Sequence, residues 1–352
     1  MEPVTHFLTG ACLGRAGFNR KVAYATLAMT LAAEAPDIDV LWGLRGPLVG
    51  FEHHRGITHT LIGAPVMALL VTGVVWLWHR WRGHRYQREG DPPIRWGLIW
   101  FFALLADFSH LFLDWTNNYG LRLFFPFNPH WYAGSFVFIF EPVLFVILLV
   151  ALGSPAIFGL ADREIGARRP RFRGQGWAIA GLAAMVMLWS WRWAEHRVAL
   201  DMLRNQPITA EAATRISINP YPIDPYQWFA VVETKDYYRT AILNVRTREI
   251  ISQTPEDVYY KPPVTPAILA AKRSWLGRVY LDWSQFPLVQ DGGVFGELPG
   301  GAHYTRVTFQ DLRFAYNALF FHGRRDHALG GSVVVAPNGQ MDEMELDGHV
   351  QH

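Results

Sequence analysis

The chain has 352 residues, 51% of them hydrophobic and only 18% charged, with 15 Trp, 23 Phe and a formal net charge of +2. A charge so near zero gives no basic footprint for nucleic acid, and a single cysteine, Cys12, excludes an internal disulfide or a zinc finger. The mean hydropathy of +0.08 is low for so apolar a composition, so a polar region must dilute an apolar one.

That dilution is regional, because residues 1–194 carry nearly all the long apolar runs and residues 195–352 read as an ordinary soluble sequence. Met1-Glu2-Pro3 shows no basic n-region or small-residue cleavage pattern, so no cleavable signal is expected. Residues 4–18, which include His6, form a short apolar stretch suited to a tilted span or a re-entrant helix. Residues 22–41 are rich in Ala and Leu and run into Glu34, Pro36, Asp37 and Asp39. Four further apolar segments, 58–78, 96–115, 136–158 and 177–193, each approach the roughly 20 residues that cross a bilayer. Five or six spans are expected.

Arginines set the orientation. The loop 79–95 holds Arg80, Arg82, Arg85, Arg88 and Arg95, and the loop 162–176 holds Arg163, Arg168, Arg169, Arg171 and Arg173. The loop 116–134 between them holds Arg122 alone. The positive-inside rule then places both basic loops in the cytoplasm and residues 195–352 on the outer face. On that topology Asp37, Asp39, His54, His59, His110 and Asp114 fall at one depth near the outer side, with Glu141 close by, and His6 joins them if 4–18 descends from outside. Ionisable groups inside apolar spans are costly and are generally paired, metal-bound or functional.

Asp107, His110 and Asp114 are spaced i, i+3, i+7, which aligns them on one helical stripe. Taken alone, such a stripe fits a polar seam between helices as well as a ligand pair. His54-Arg55-Gly56-Ile57-Thr58-His59 reads as a loop entering a helix, with Thr58 as its N-cap and His59 in the first turn. Arg55 beside the site could neutralise an anionic substrate or snorkel to headgroups, and His53 could stand in for His54. Pro36 disfavours a helical Ala35, so Asp37-Ile38-Asp39 should form an extended turn. Imidazole nitrogen and carboxylate oxygen are the donors that zinc and related divalent ions take.

His6 in Thr-His-Phe-Leu-Thr-Gly, the Ala-Pro-Asp-Ile-Asp stretch, His-Arg-Gly-Ile-Thr-His-Thr and the Asp107, His110, Asp114 series together resemble the YdjM-type family of membrane-bound, predicted metal-dependent hydrolases of bacteria. The resemblance covers about residues 1–160 and is specific in its combination and order. That family is in turn remotely similar to the zinc-dependent phospholipase C and P1 nuclease group. The resemblance implies His6, Asp39, His54 or His59, His110 and Asp114 as metal ligands. It departs at Glu141, whose expected histidine partner is Val137, so one or two ions are expected rather than three, with His130 a spare donor.

In the second half, 227–234, 239–245 and 278–283 are β-branched and aromatic runs that predict strands, 265–276 a helix, and 305–314 and 332–336 further strands. Pro220, Pro222 and Pro225 mark a linker or strand entrance. His303, His322 and His327 lack ligand-like spacing and read as surface histidines. A small α+β or mostly β domain is expected, its ligand unstated by the sequence.

These readings converge on an α-helical membrane domain, residues 1–194, followed by a soluble extracytoplasmic domain, 195–352, in a bacterial inner membrane. The expected activity is hydrolysis of an ester or phosphoester of a lipid-like substrate, with Asp37 and Asp107 orienting ligands or accepting a proton. Metal transport, or a structural metal clamp with a partner-binding outer domain, is the competing reading. The bilayer and a lipid or phosphoester substrate are the expected partners, nucleic acid is not.

Overall fold

The computed structural model describes residues 1–82, 91–164, 174–251, 255–297, 303–316 and 329–351. Arg85, Arg88, Arg168, Arg169, Arg171 and Arg173 of the basic loops, and His322 and His327, lie outside the described residues. In chain order the helices are α1 (Pro3–Arg15), α2 (Ala25–Ala32), α3 (Pro47–His53), α4 (Gly63–Arg82), α5 (Trp96–Thr116), α6 (Pro142–Glu164), α7 (Gln175–Asn205), α8 (Pro266–Arg273) and α9 (Trp275–Trp283). The strands are β1 (Arg215–Pro220), β2 (Gln227–Glu233), β3 (Tyr237–Asn244), β4 (Glu249–Ile251), β5 (Val258–Tyr260), β6 (Pro287–Glu297), β7 (His303–Asp311), β8 (Gly331–Val335), β9 (Met341–Leu346) and β10 (His349–Gln351).

The chain forms two compact units. The first comprises Met1–Asp39 and Arg55–Trp193, and the second Val40–His54 and Ala194–His352. The short excursion Val40–His54 thus leaves the helical unit just after Asp39 and re-enters it at Arg55.

The helical unit is built on close helix approach. A Cβ on Gly10 of α1 would come 2.5 Å from the Met29 carbonyl, and one on Gly14 would come 2.5 Å from Thr26 Cα. These two glycines, four apart, let α1 and α2 meet backbone to backbone, the small-xxx-small device of membrane helices. On its other side α2 buries Ala25, Ala28, Met29 and Ala32 against Ala68, Val71 and Val75 of α4 and Ile99, Phe102, Ala103 and Ala106 of α5. The i, i+3, i+4 spacing of these residues makes one apolar stripe per helix.

Among the described residues, Trp96–Thr116 and Pro142–Gly159 are long and apolar enough to cross a bilayer, and a third span results if Pro47–His59 and Gly63–Arg82 count as one broken span. Five or six spans are not supported. With 13 and 8 residues, α1 and α2 reach only about 20 and 12 Å, short of a ~30 Å hydrocarbon core. In α7 the apolar stretch is diluted by Trp189, Trp191, Arg192 and Trp193.

The second unit holds two antiparallel five-stranded sheets. One runs β1-β2-β3-β4 with β5 also paired to β3, and the other runs β10-β9-β8-β7-β6. Trp228, Tyr280, Trp283 and Phe309 are among its fully buried side chains. The strands expected at 227–234, 239–245 and 332–336 are present, as is a helix within 265–276. The strand expected at 278–283 is instead α9, which Ser274 caps by accepting from Gly277 N. Leu276, Gly277, Tyr280 and Trp283 are its buried residues, a helical repeat hidden inside an aromatic, β-like composition. The excursion belongs to this unit through Phe51, whose ring lies 5.2 Å from Trp283 and 6.0 Å from Tyr280. Glu52 accepts from Trp275 Nε1 at 2.9 Å.

Candidate metal centre

Four elements of the helical unit each send polar side chains to one point. The first is a 3-10 run, Ala35–Arg45, with Pro36 in its first turn, rather than the extended turn expected there. Its tight winding follows from the proline, which fixes a helical φ and lacks the N–H that a helix start leaves unused. With about three residues per turn, side chains two apart diverge by roughly 240°. Asp37 and Asp39 therefore reach opposite nitrogens of one imidazole: Asp37 Oδ1 lies 3.3 Å from His59 Nε2, and Asp39 Oδ2 lies 3.2 Å from His59 Nδ1.

His59 ends a second 3-10 turn, Ile57–His59, and α4 begins only at Gly63. Thr60, not Thr58, serves that helix start, accepting from Gly63 N at 2.8 Å. Thr58 Oγ1 sits 3.0 Å from His59 Nδ1 instead. Asp39 can only accept, so it holds the Nδ1 side of the ring and turns Nε2 of His59 inward. His110 on α5 is set the same way, its Nδ1 donating to the Ala33 carbonyl at 2.7 Å. The two Nε2 atoms then face each other at 3.1 Å. Asp114, one turn beyond His110, brings Oδ2 to 3.5 Å from His59 Nε2 and 3.6 Å from His110 Nε2.

Asp37, His59, His110 and Asp114 offer ligand atoms that all lie within 4.8 Å of one another. Five of the separations are 3.1, 3.3, 3.5, 3.6 and 3.6 Å. A tetrahedron around an ion with bonds of about 2.0–2.2 Å has edges of roughly 3.3–3.6 Å, so the donor set fits a divalent cation of the zinc type. Asp114 Oδ2 is buried with no hydrogen-bond partner, and it faces the Nε2 atoms of both imidazoles. Electron-pair donors that converge in a buried place without donors of their own call for a cation. His59 and His110 are fully buried and Asp114 is 1% exposed, whereas the Asp37 side chain is 21% exposed and marks the accessible side.

The remaining expected residues divide. His6 on α1 is brought in: its ring stacks on His110 at 3.8 Å, and Nε2 lies 3.4 Å from Asp114 Oδ1. Both His6 ring nitrogens and both Asp107 carboxylate oxygens are buried without a hydrogen bond. The N-terminal amine also contacts Asp114 Oδ1. Arg55 lies 4% exposed against Asp114. His54 follows α3 as its C-cap residue in the second unit and is not among the four, while its neighbour His53 stacks on Trp42 at 4.4 Å. His130 packs on Tyr132 at 4.7 Å and Glu141 is drawn to Arg192, so neither joins the group. Sequence reasoning missed the Ala33 carbonyl, which no side-chain pattern signals, and Asn117, whose burial at the end of an apolar helix was the available hint.

A family model described as YdjM inner membrane protein matches residues 1–199, which contain all four converging donors. Among curated proteins, the chain is similar to the uncharacterized protein YfhP of Bacillus subtilis (strain 168), at 29% identity over 171 residues, 45% of this chain and 49% of YfhP. The chain thus spans about half the length of the curated relative it matches. No solved structure matches. The remote likeness to the zinc-dependent phospholipase C and P1 nuclease group finds no support in these comparisons.

Proposed function

This chain belongs to the YdjM inner membrane protein family, and from that premise we propose that it is a membrane-bound, metal-dependent hydrolase acting on an ester or phosphoester of a lipid-like substrate. The observation that carries the reading is the buried convergence of two imidazoles and two carboxylates, with Asp114 Oδ2 lacking a hydrogen-bond partner. Asp37, His59, His110 and Asp114 hold the ion, Asp39 and the Ala33 carbonyl orient the two rings, and His6 is a donor for a second ion. A zinc-type ion supplies Lewis acidity and brings the acidity of water towards pH ~7. Burial of His59, His110 and Asp114 keeps bulk water out, so substrate approaches past Asp37, the exposed donor. Asp37 or Asp107 accepts the proton released when water attacks. The substrate class follows from position, since a donor set carried by apolar helices is reached from the lipid headgroup plane. The chain is multi-pass, with residues 195–352 on the outer side, on the strength of the arginine-rich loops. An export reporter fused at the C-terminus checks that side.

One observation favours a second reading. Four protein donors already fill a tetrahedron, and closed four-coordinate sites are the structural kind. Transport is less well supported, because the donors gather at one point instead of lining a path. Elemental analysis of the purified chain, combined with hydrolysis of a panel of phospholipids, phosphodiesters and carboxylic esters, separates these. Bound divalent metal and turnover that chelation abolishes are expected. Metal held in every preparation with no hydrolysis of any substrate would establish the structural clamp, and metal-free folded protein with full turnover would remove the metal from the reaction.

A further inference from the structure

We infer that Arg55 is a positioning residue that holds the metal donors on two sides, not a group that meets substrate; this rests on the metal site proposed above. Arginine beside a hydrolytic site is ordinarily read as an anion receptor. Here both terminal nitrogens of the guanidinium are already committed, and Nε is buried. Its Nη2 donates to Asp114 Oδ1 at 2.8 Å, and Nη1 donates to the Gly120 carbonyl at 2.8 Å and to Asn117 Oδ1 at 3.3 Å. The ring of Tyr119 closes one face, with Arg55 Cζ 4.8 Å from its centroid. At 4% exposed, the residue has no open side towards solvent.

These contacts dictate how Asp114 can bind an ion. Arg55 occupies Oδ1, so only Oδ2 is left to face His59 and His110. The carboxylate is thereby held to one-oxygen ligation and its rotation is blocked. The same residue acts on the opposite donor through its backbone. Arg55 N donates to Asp39 Oδ2 at 2.7 Å, and that oxygen is the one beside His59 Nδ1. Its φ of +52° lies in the left-handed region, uncommon for a long side chain. This conformation lets the N–H serve Asp39 while the side chain turns to Asp114. Asp39 and Arg55 are also the residues at which the chain leaves and re-enters the helical unit. One residue thus ties a carboxylate donor and an imidazole donor to the same point of re-entry.

A planar fork satisfies several acceptors at once, whereas a lysine ammonium supplies charge alone. The test is a titration of the full-length, detergent-solubilised chain with cobalt(II), read by visible absorption, for wild type, Arg55→Lys, Arg55→Ala and Tyr119→Leu. Cobalt affinity should fall by roughly 10–100-fold in both Arg55 variants, as for other residues that orient ligands. The absorption should weaken as Asp114 turns to bind through both oxygens. Arg55→Lys should not restore the wild-type spectrum. Tyr119→Leu, which leaves every donor and Arg55 in place, should shift it in the same direction by less, and it serves if the Arg55 variants do not fold. Wild-type affinity and spectrum in the folded variants, or full rescue by lysine, would overturn the inference while leaving the metal site intact. Absence of cobalt binding by wild type would overturn the metal site and this inference together.

Discussion

Buried charge is treated in opposite ways by the two units. In the sheet unit the buried carboxylates Asp311 and Glu233 are both paired with cations. Arg313 and Asp311, two residues apart, form a two-pronged pair at 3.0 and 2.9 Å, and Asp311 also accepts from Ser284 Oγ at 2.7 Å and Gln285 N at 2.9 Å. Glu233 is gripped by Arg215 at 2.5 Å and Lys261 at 2.8 Å. In the helical unit, by contrast, His6, Asp107 and Asp114 Oδ2 are buried without hydrogen-bond partners around converging donors. Burial with every valence filled serves the fold. Burial with valences left open costs free energy that a bound cation can offset, and so marks a site.

The contrast breaks most severely at His110. His110→Ala removes one of four donors and leaves Asp114 Oδ2 without its neighbour, so zinc affinity should drop by roughly 10²–10³-fold, a quarter of a typical structural-zinc binding energy. Competition with a chelator of known affinity measures it; an unchanged affinity would mean that the four do not act as a set. Of comparable size, Arg313→Ala strands Asp311 in the core of the other unit. It should destabilise that unit by about 3–5 kcal/mol, seen as earlier urea unfolding of its tryptophan fluorescence, with metal content unaltered. Loss of metal in that variant would show that the two kinds of buried charge are not separable.

The smallest effect belongs to Glu233. Burial alone would raise its carboxyl, but the hydrogen bonds from Arg215 and Lys261 outweigh it and hold the folded pKa below the ordinary value. A lowered folded pKa means that the stabilisation is present above the unfolded pKa of about 4.3 and is lost as pH falls through the folded value. Because Arg215 is half exposed, the increment is about 1 kcal/mol or less. Glu233→Gln should remove this increment at neutral pH and flatten the acid side of the stability profile, measured as denaturant midpoint against pH. An acid limb as steep as that of wild type would assign the effect to other carboxyls.

Much of the candidate site was legible because it rests on local spacing. The four-residue step from His110 to Asp114 puts both on one face of any helix, and Pro36 ahead of Asp37 and Asp39 announces a chain turn whichever turn it proves to be. His54 and His59 are harder to separate. Both lie in the same motif, yet one closes α3 in the sheet unit and the other closes a turn beside α5. The choice depends on where Val40–His54 packs, and that is settled by Phe51 meeting Tyr280 and Trp283 more than 220 residues later. In the same way 278–283 carries strand-like residues, and its helical period decides only once Leu276, Tyr280 and Trp283 have a core to face.

By itself the sequence determined an apolar helical half, a strand-rich half, and a stock of imidazole and carboxylate groups set against apolar helices. These follow from composition and short-range periodicity, which do not need distant contacts. The tertiary structure decided which histidines converge, which nitrogen each ring turns inward, and that Arg55 faces Asp114. Each of these depends on residues far apart in the chain meeting in one place, and hydropathy and spacing carry no record of such meetings.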